Sequence, residues 1–183
     1  RSGEEAMKYV EQIKSIVVDN IDASKIKIEV FNGDYGHEYN TNLELGSYKD
    51  EHKKTINKLL ETKFFSGLDL ASTENIIPNS AFIDFYKLAN SFNMITKVHA
   101  GEQLGADYIK ECILDFNPKQ IQHGIHIVED KDVMKLAKEK GIVFNVCPTS
   151  NVILGYAKSI KDHPIKEMVE YGLKVTIDTD DLL

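Results

Sequence analysis

Asp130-Lys131-Asp132-Val133-Met134-Lys135-Leu136-Ala137-Lys138-Glu139-Lys140-Gly141-Ile142-Val143-Phe144-Asn145-Val146-Cys147 is the stretch that decides the fold. The spacing predicts a helix over 130–140 that stops at Gly141, since glycine adopts the left-handed conformation in which helices commonly end. A strand over 142–147 follows with no intervening loop. Upstream the same alternation gives a strand at 120–123, a helix at 106–115, a strand at 95–99, a helix at 81–90, an apolar run of strand length over 64–70 and a helix over 48–62. Before these, Ile26, Ile28 and Val30 alternate with charged neighbours in a strand over 25–31, and a polar, glycine-rich loop joins it to the helix at 48. A helix over 4–18 opens the chain, with Met7, Val10, Ile13, Ile16 and Val17 on one face and Ser2 and Glu5 spaced as a capping box. Downstream, Pro164 stands near the start of the last helix, Gly172 closes it, and a strand over 174–178 ends the pattern. Six strands, each preceded by a helix, predict a parallel α/β sheet, because parallel strands need crossover helices.

Composition narrows the function classes. At 183 residues, 42% apolar and 28% charged, the chain has the make-up of one soluble domain with a packed core. Its net charge of -7 and pI near 5.4 exclude a phosphate-tracking surface, so no nucleic-acid partner is expected. Apolar runs end far short of the ~20 residues that span a bilayer, so no membrane partner is expected either. Arg1-Ser2-Gly3-Glu4-Glu5 lacks the make-up of a secretory leader, and Cys112 and Cys147 imply no disulfide framework, which together predict a cytoplasmic protein.

Polar groups collect where strands end: Asp69, then His99-Ala100-Gly101-Glu102, His123-Gly124, Cys147-Pro148-Thr149-Ser150-Asn151 and Asp178-Thr179-Asp180-Asp181. In parallel α/β architectures strand C-termini gather on one rim. Because the candidates are spread over several strands, a barrel is expected rather than an open doubly wound sheet. His99 reads as a metal ligand and Glu102 as a shielded proton donor or acceptor, against the plainer reading of a loop histidine and a solvated glutamate at a helix start. The carboxylates of Asp178, Asp180 and Asp181 need their repulsion relieved by a cation, a substrate or water. His123 is a candidate base; His37, His52, His126 and His163 read as packed or surface residues. Cys147 reads as a buried small hydrophobe, and Thr149, Ser150 and Asn151 as residues that hold a loop by local hydrogen bonds.

The order H-A-G-E, H-G, C-P-T-S-N, T-D-D, each at a strand end, resembles the adenosine deaminase family with its AMP deaminase relatives. Leu68-Asp69-Leu70-Ala71-Ser72-Thr73-Glu74 is similar to that family's D-L-A-G-x-E, and the likeness runs from about Lys25 to Asp181. The resemblance implies a (β/α)8 TIM barrel, incomplete here as about six βα units corresponding to strands 3 to 8, with residues 1–183 forming a single partial catalytic domain. It further implies one zinc ion held by His99 and Asp180, with two more histidine ligands from an H-x-H motif that this sequence lacks. By the same likeness Glu102 protonates purine N1, His123 is the base or electrostatic partner of the hydroxide, Asp181 meets the N7 side and the Ser72 amide meets N3. The implied reaction is hydrolytic deamination of adenosine to inosine and ammonia, using a water whose pKa zinc lowers to about 7. The implied partner is a small purine nucleoside, together with a complementing N-terminal segment or a second copy pairing through open sheet edges.

The chain departs from the family pattern at Ser72, where glycine is usual, at Gln120 and Gln122, where R-x-G-H-G is usual, and at Leu182, where proline is usual. Alternative readings are a deaminase of AMP, adenine or another 6-aminopurine, and a non-catalytic relative that binds a nucleoside. A phosphatase using Asp178 and Asp180 is disfavoured, since that pair belongs near the start of such a domain.

Overall fold

The structure, a computed structural model, describes residues 26–32, 39–45, 53–61, 65–71, 73–75 and 77–180. The helix expected over 4–18 lies outside them, as do Ser72 and Asp181. The chain divides into two compact units, Arg1–Ser72 with Phe82–Thr96 and Thr73–Ala81 with Lys97–Leu183.

In the first unit, β1 (Ile26–Asn32) and β2 (Tyr39–Leu45) pair antiparallel, Ile26 opposite Leu45 and Asn32 opposite Tyr39. β2 then runs parallel to β3 (Gly67–Leu70), with Leu43 beside Leu68, and α1 (Lys53–Glu61) lies between them in sequence. This corrects the sequence reading twice: 39–45 is a strand, not loop, and the strand at 25–31 does not open the parallel series. The link over 33–38 is too short for a parallel crossover, which takes a dozen or more residues. Tyr39, Thr41, Leu43 and Leu45 do alternate with polar residues, but Asn40 and Asn42, types depleted in strands, mask the pattern. α2 (Ile83–Ser91) packs on α1 and β3. The core here is Ile56 and Leu60, one helical turn apart on α1, with Phe65, Leu68, Phe82, Phe85 and Tyr86.

The second unit takes β4 (Ile95–Ala100) from Lys97 onward, α3 (Ala106–Phe116), β5 (Gln120–His123), a 3-10 turn over Ile125–Glu129, α4 (Lys131–Lys140), β6 (Val143–Val146), α5 (Pro148–Ile153), α6 (Ile165–Tyr171) and β7 (Lys174–Ile177). From β4 to β7 each strand is parallel to the next, as the βα alternation requires. Val98, Ile121 and Phe144 share one register row and are wholly buried. The next row, on the opposite face, is His99, Gln122, Asn145 and Thr176. Asn145 donates to Gln120 at 2.9 Å and to Gln122, and accepts from Thr176 at 2.9 Å, so this face is polar and internally bonded. Ile109, Ile113 and Phe116 of α3 and Val133, Met134 and Ala137 of α4 complete the core, each large side chain contributing about 1.5–3 kcal/mol by burial.

Helix ends follow the sequence. The Asp130 carboxylate accepts from the Asp132 and Val133 amides at 2.8 and 3.3 Å, and Gly141 ends α4 at φ 69°. α5 is a further correction: Thr149, Ser150 and Asn151 stand in a short helix, started by Pro148 at its first position, where the missing N–H costs nothing. Among the described residues no helix is long and apolar enough to cross a membrane.

Candidate active site

β4 delivers His99 to the end of the second unit's sheet, and the chain then turns through Ala100 and Gly101. Gly101 takes φ 76°, its carbonyl accepts from the His126 amide at 3.0 Å, and an added Cβ would overlap Ile109 Cδ1. Only glycine satisfies both the conformation and the space. The next three amides, of Glu102, Gln103 and Leu104, donate to the buried Glu74 carboxylate at 2.8, 3.3 and 2.7 Å. One carboxylate thus neutralises a cluster of inward-pointing N–H groups and fixes the turn that carries Glu102.

β5 ends on His123, whose backbone is left-handed at φ 61° and is followed by Gly124 at φ 63°. A left-handed non-glycine residue costs about 1 kcal/mol, and such strain concentrates at functional sites. Its Nδ1 lies 3.3 Å from Glu102 Oε1, with both side chains buried. Asn151, wholly buried on α5, joins them: its Nδ2 donates to Glu102 Oε1 at 2.9 Å and lies 3.2 Å from His123 Nδ1. Behind Asn151, its Oδ1 lies 3.2 Å from His163 Nε2, and His163 Nδ1 accepts from the Ile165 amide at 3.2 Å. Burial, reinforced by the Asp180 charge and to a lesser degree by Glu74, raises the Glu102 pKa above the usual carboxylate range; the Asn151 hydrogen bond and His99 oppose the shift.

Asp180 sits just past β7 at φ 64° and accepts from Ser150 Oγ at 2.6 Å. Among the described residues, ligand atoms of His123, Cys147 and Asp180 lie within 4.8 Å of one another. The His99 ring lies beside that of His123, centroids 5.5 Å apart and tilted by 54°. Imidazole, carboxylate and sulfur donors suit a borderline divalent cation such as zinc. The Cys147 thiol is pushed up to about 12 by burial, with Asp180 and Asp178 nearby.

The structure therefore gathers His99, Glu102, His123 and Asp180 in one unit, His99 by its ring beside that of His123, Glu102 by its contact with His123, and Asp180 through its charge on Glu102 and its place beside His123. The sequence reading gives Glu74 no role and places Asn151 in a loop; His163 is packed, as expected. The sequence signal for Glu74 and Asn151 is that each closes one of the strand-end motifs.

Parallel strands alternating with helices define an α/β protein of the partial (β/α)8 barrel class, and the residues gathered above lie at C-terminal strand ends. A family model described as adenosine deaminase matches residues 43–183. The chain belongs to the adenosine deaminase family. It is 30% identical to a putative adenosine/adenine deaminase of Treponema pallidum, over 90% of this chain and 56% of that protein. It is 37% identical to an adenine deaminase of Chlorobium phaeobacteroides, over 73% of this chain and 40% of that protein. The crystal structure of an adenine deaminase from Arthrobacter aurescens superposes with a TM-score of 0.69 at 31% identity, covering 76% of this chain and 44% of that one. The chain spans about half the length of the curated relatives it matches.

Proposed function

We propose that the protein hydrolyses the exocyclic amino group from a 6-aminopurine, adenosine going to inosine and ammonia. The observation that carries this reading is Glu102, a buried carboxyl 3.3 Å from the His123 imidazole, bonded to the same amide and close enough to Asp180 to feel its charge. Its raised pKa suits it to hold a proton towards neutral pH and deliver it to purine N1, which makes C6 electrophilic. His123, with Nδ1 held by Asn151, is the electrostatic partner that orients the attacking water through Nε2–H; as the C–O bond forms at C6 the water gives up one proton to solvent, and when the C–N bond breaks the leaving amine takes up a proton and departs as ammonia while the new hydroxyl returns its proton to Glu102. His99 and Asp180 are the residues assigned to hold a divalent cation, beside His123 and Cys147. Zinc bound there would supply acidification of the water, to a pKa of about 7. By the family resemblance the Ser72 amide would meet N3 and Asp181 the N7 side, and two further histidines would complete the cation's ligands.

A second reading, free adenine as the substrate, is favoured by the relatives: proteins 37% and 31% identical to this chain bear the name adenine deaminase. Ammonia release by the full-length, zinc-loaded protein, measured with adenosine, adenine and AMP in turn, tests both. Turnover of adenosine is expected; preference for adenine selects the second reading. A metal-containing preparation inert towards all three overturns the deaminase assignment.

A further inference from the structure

We infer that His163 is a positioning residue for the Glu102–His123 pair: acting through the Asn151 amide, it confines the Glu102 proton to Oε2. The inference rests on the proposed role of Glu102 as the proton donor. It starts from a backbone amide, which can only donate. The Ile165 N–H lies 3.2 Å from His163 Nδ1, so that nitrogen accepts, and neutral His163 carries its proton on Nε2. Nε2 faces Asn151 Oδ1 at 3.2 Å, which fixes the amide with its oxygen towards His163. A flipped Asn151 would set N–H against N–H. The Asn151 NH2 group therefore points the other way, where its two hydrogens meet Glu102 Oε1 at 2.9 Å and His123 Nδ1 at 3.2 Å.

A neutral imidazole Nδ1 has a single in-plane lone pair, and Asn151 occupies it. Glu102 Oε1, although 3.3 Å from that nitrogen, has no acceptor left there for a proton. The Glu102 proton is thus excluded from the line between the pair and resides on Oε2, while His123 keeps its own proton on Nε2. Asn151 is rigid enough to transmit this: it is wholly buried, its N–H donates to the Cys147 carbonyl at 3.0 Å, and its carbonyl accepts from Tyr156 and Ala157 at 2.8 and 2.9 Å. His163 itself is 5% exposed, dry enough that water does not compete for its hydrogen bonds.

Two measurements on the full-length protein test the inference. Two-bond proton–nitrogen correlation spectra of the unliganded wild type at neutral pH should show His163 protonated on Nε2 and bare on Nδ1; the opposite tautomer overturns the inference whatever the enzyme turns over. In the zinc-loaded protein, with adenosine and adenine as probes, His163→Phe should lower kcat by about 10- to 100-fold and change KM by less than about twofold. His163→Gln, whose amide places an N–H where Nε2 stood, should recover most of that loss. Equal losses in the Phe and Gln variants, or wild-type kcat in both, overturn the positioning role. Should His163→Phe not fold, the wild-type tautomer and the kcat of His163→Gln decide. Inertness towards both purines with the expected tautomer would instead count against the deaminase reading.

Discussion

Replacing Glu74 tests whether a residue remote from the reacting atoms holds the catalytic turn. Its carboxylate accepts from Glu102 N at 2.8 Å in a buried bond and from Gln103 N and Leu104 N at 3.3 and 2.7 Å in partly buried ones. Glu74→Ala leaves all three donors without their acceptor. A hydrogen bond to a charged group is worth about 1.5–3 kcal/mol when buried and about 1 kcal/mol where water reaches it, so a loss of ~4 kcal/mol is expected. Glu74→Gln is nearly isosteric yet keeps only one oxygen, and its NH2 must face an N–H, so it should recover less than half of that. A second effect is electrostatic. Burial is the main cause of the raised Glu102 pKa, but the Glu74 charge adds to it, so Glu74→Gln should bring that pKa down and move the alkaline limb of kcat towards lower pH. Urea unfolding at constant m-value reads the first effect, amide exchange at 102–104 locates it, and a pH–rate profile reads the second. A Glu74→Ala midpoint equivalent to less than about 1 kcal/mol of destabilisation would refute the claim that this carboxylate organises the turn.

Glu102→Gln keeps the shape of the side chain but has no proton to give, so kcat should fall by about 100- to 10,000-fold with little change in KM, and a loss under about tenfold would remove Glu102 from the acid role. Gly101→Ala combines a left-handed backbone at φ 76° with overlap on Ile109, and should lower stability by about 3 kcal/mol in thermal or urea unfolding. Two residues also give stability opposite dependences on pH. Burial lowers the His163 pKa below 6.5, so its contribution is complete above the unfolded value and is lost as pH falls towards the folded one. The raised Glu102 pKa works the other way: stability declines as pH climbs from 4.5 towards the folded value, because the unfolded carboxyl ionises first. Removing the His163 contribution leaves the Glu102 one, so urea midpoints across this range should fall more steeply with rising pH in His163→Phe than in the wild type; an unchanged slope would show that His163 does not contribute.

Much of this was legible in the residues. The βα alternation from 95 to 177 was readable because each helix has an apolar stripe and a glycine stop, and each strand is bounded by turn residues. His99, Glu102, His123 and Asp180 were legible for a different reason: each ends a strand, where a parallel sheet projects its loops. The hairpin of β1 and β2 was not, since asparagines at 40 and 42 weakened the β signal and its pairing is set by the short link. Nor were the partners of Glu102. Glu74 lies 28 residues from it and Asn151 lies 49, and no local periodicity encodes which buried polar atoms meet at such separations. His163 is packed, as its reading from sequence has it, but an isolated histidine carries no sequence mark of the hydrogen bonds that orient it.

The row of Gln122, Asn145 and Thr176, extended by Gln120, has a bearing on how this protein can diverge. Asn145 spends both its donor and its acceptor capacity on neighbours from adjoining strands. A mutation at one rung strands a partner from another, so these four positions are expected to drift in concert rather than singly. A library that varies them one at a time would sample mostly casualties, whereas one that swaps the whole rung for a matched set has a passable route to a differently shaped interior.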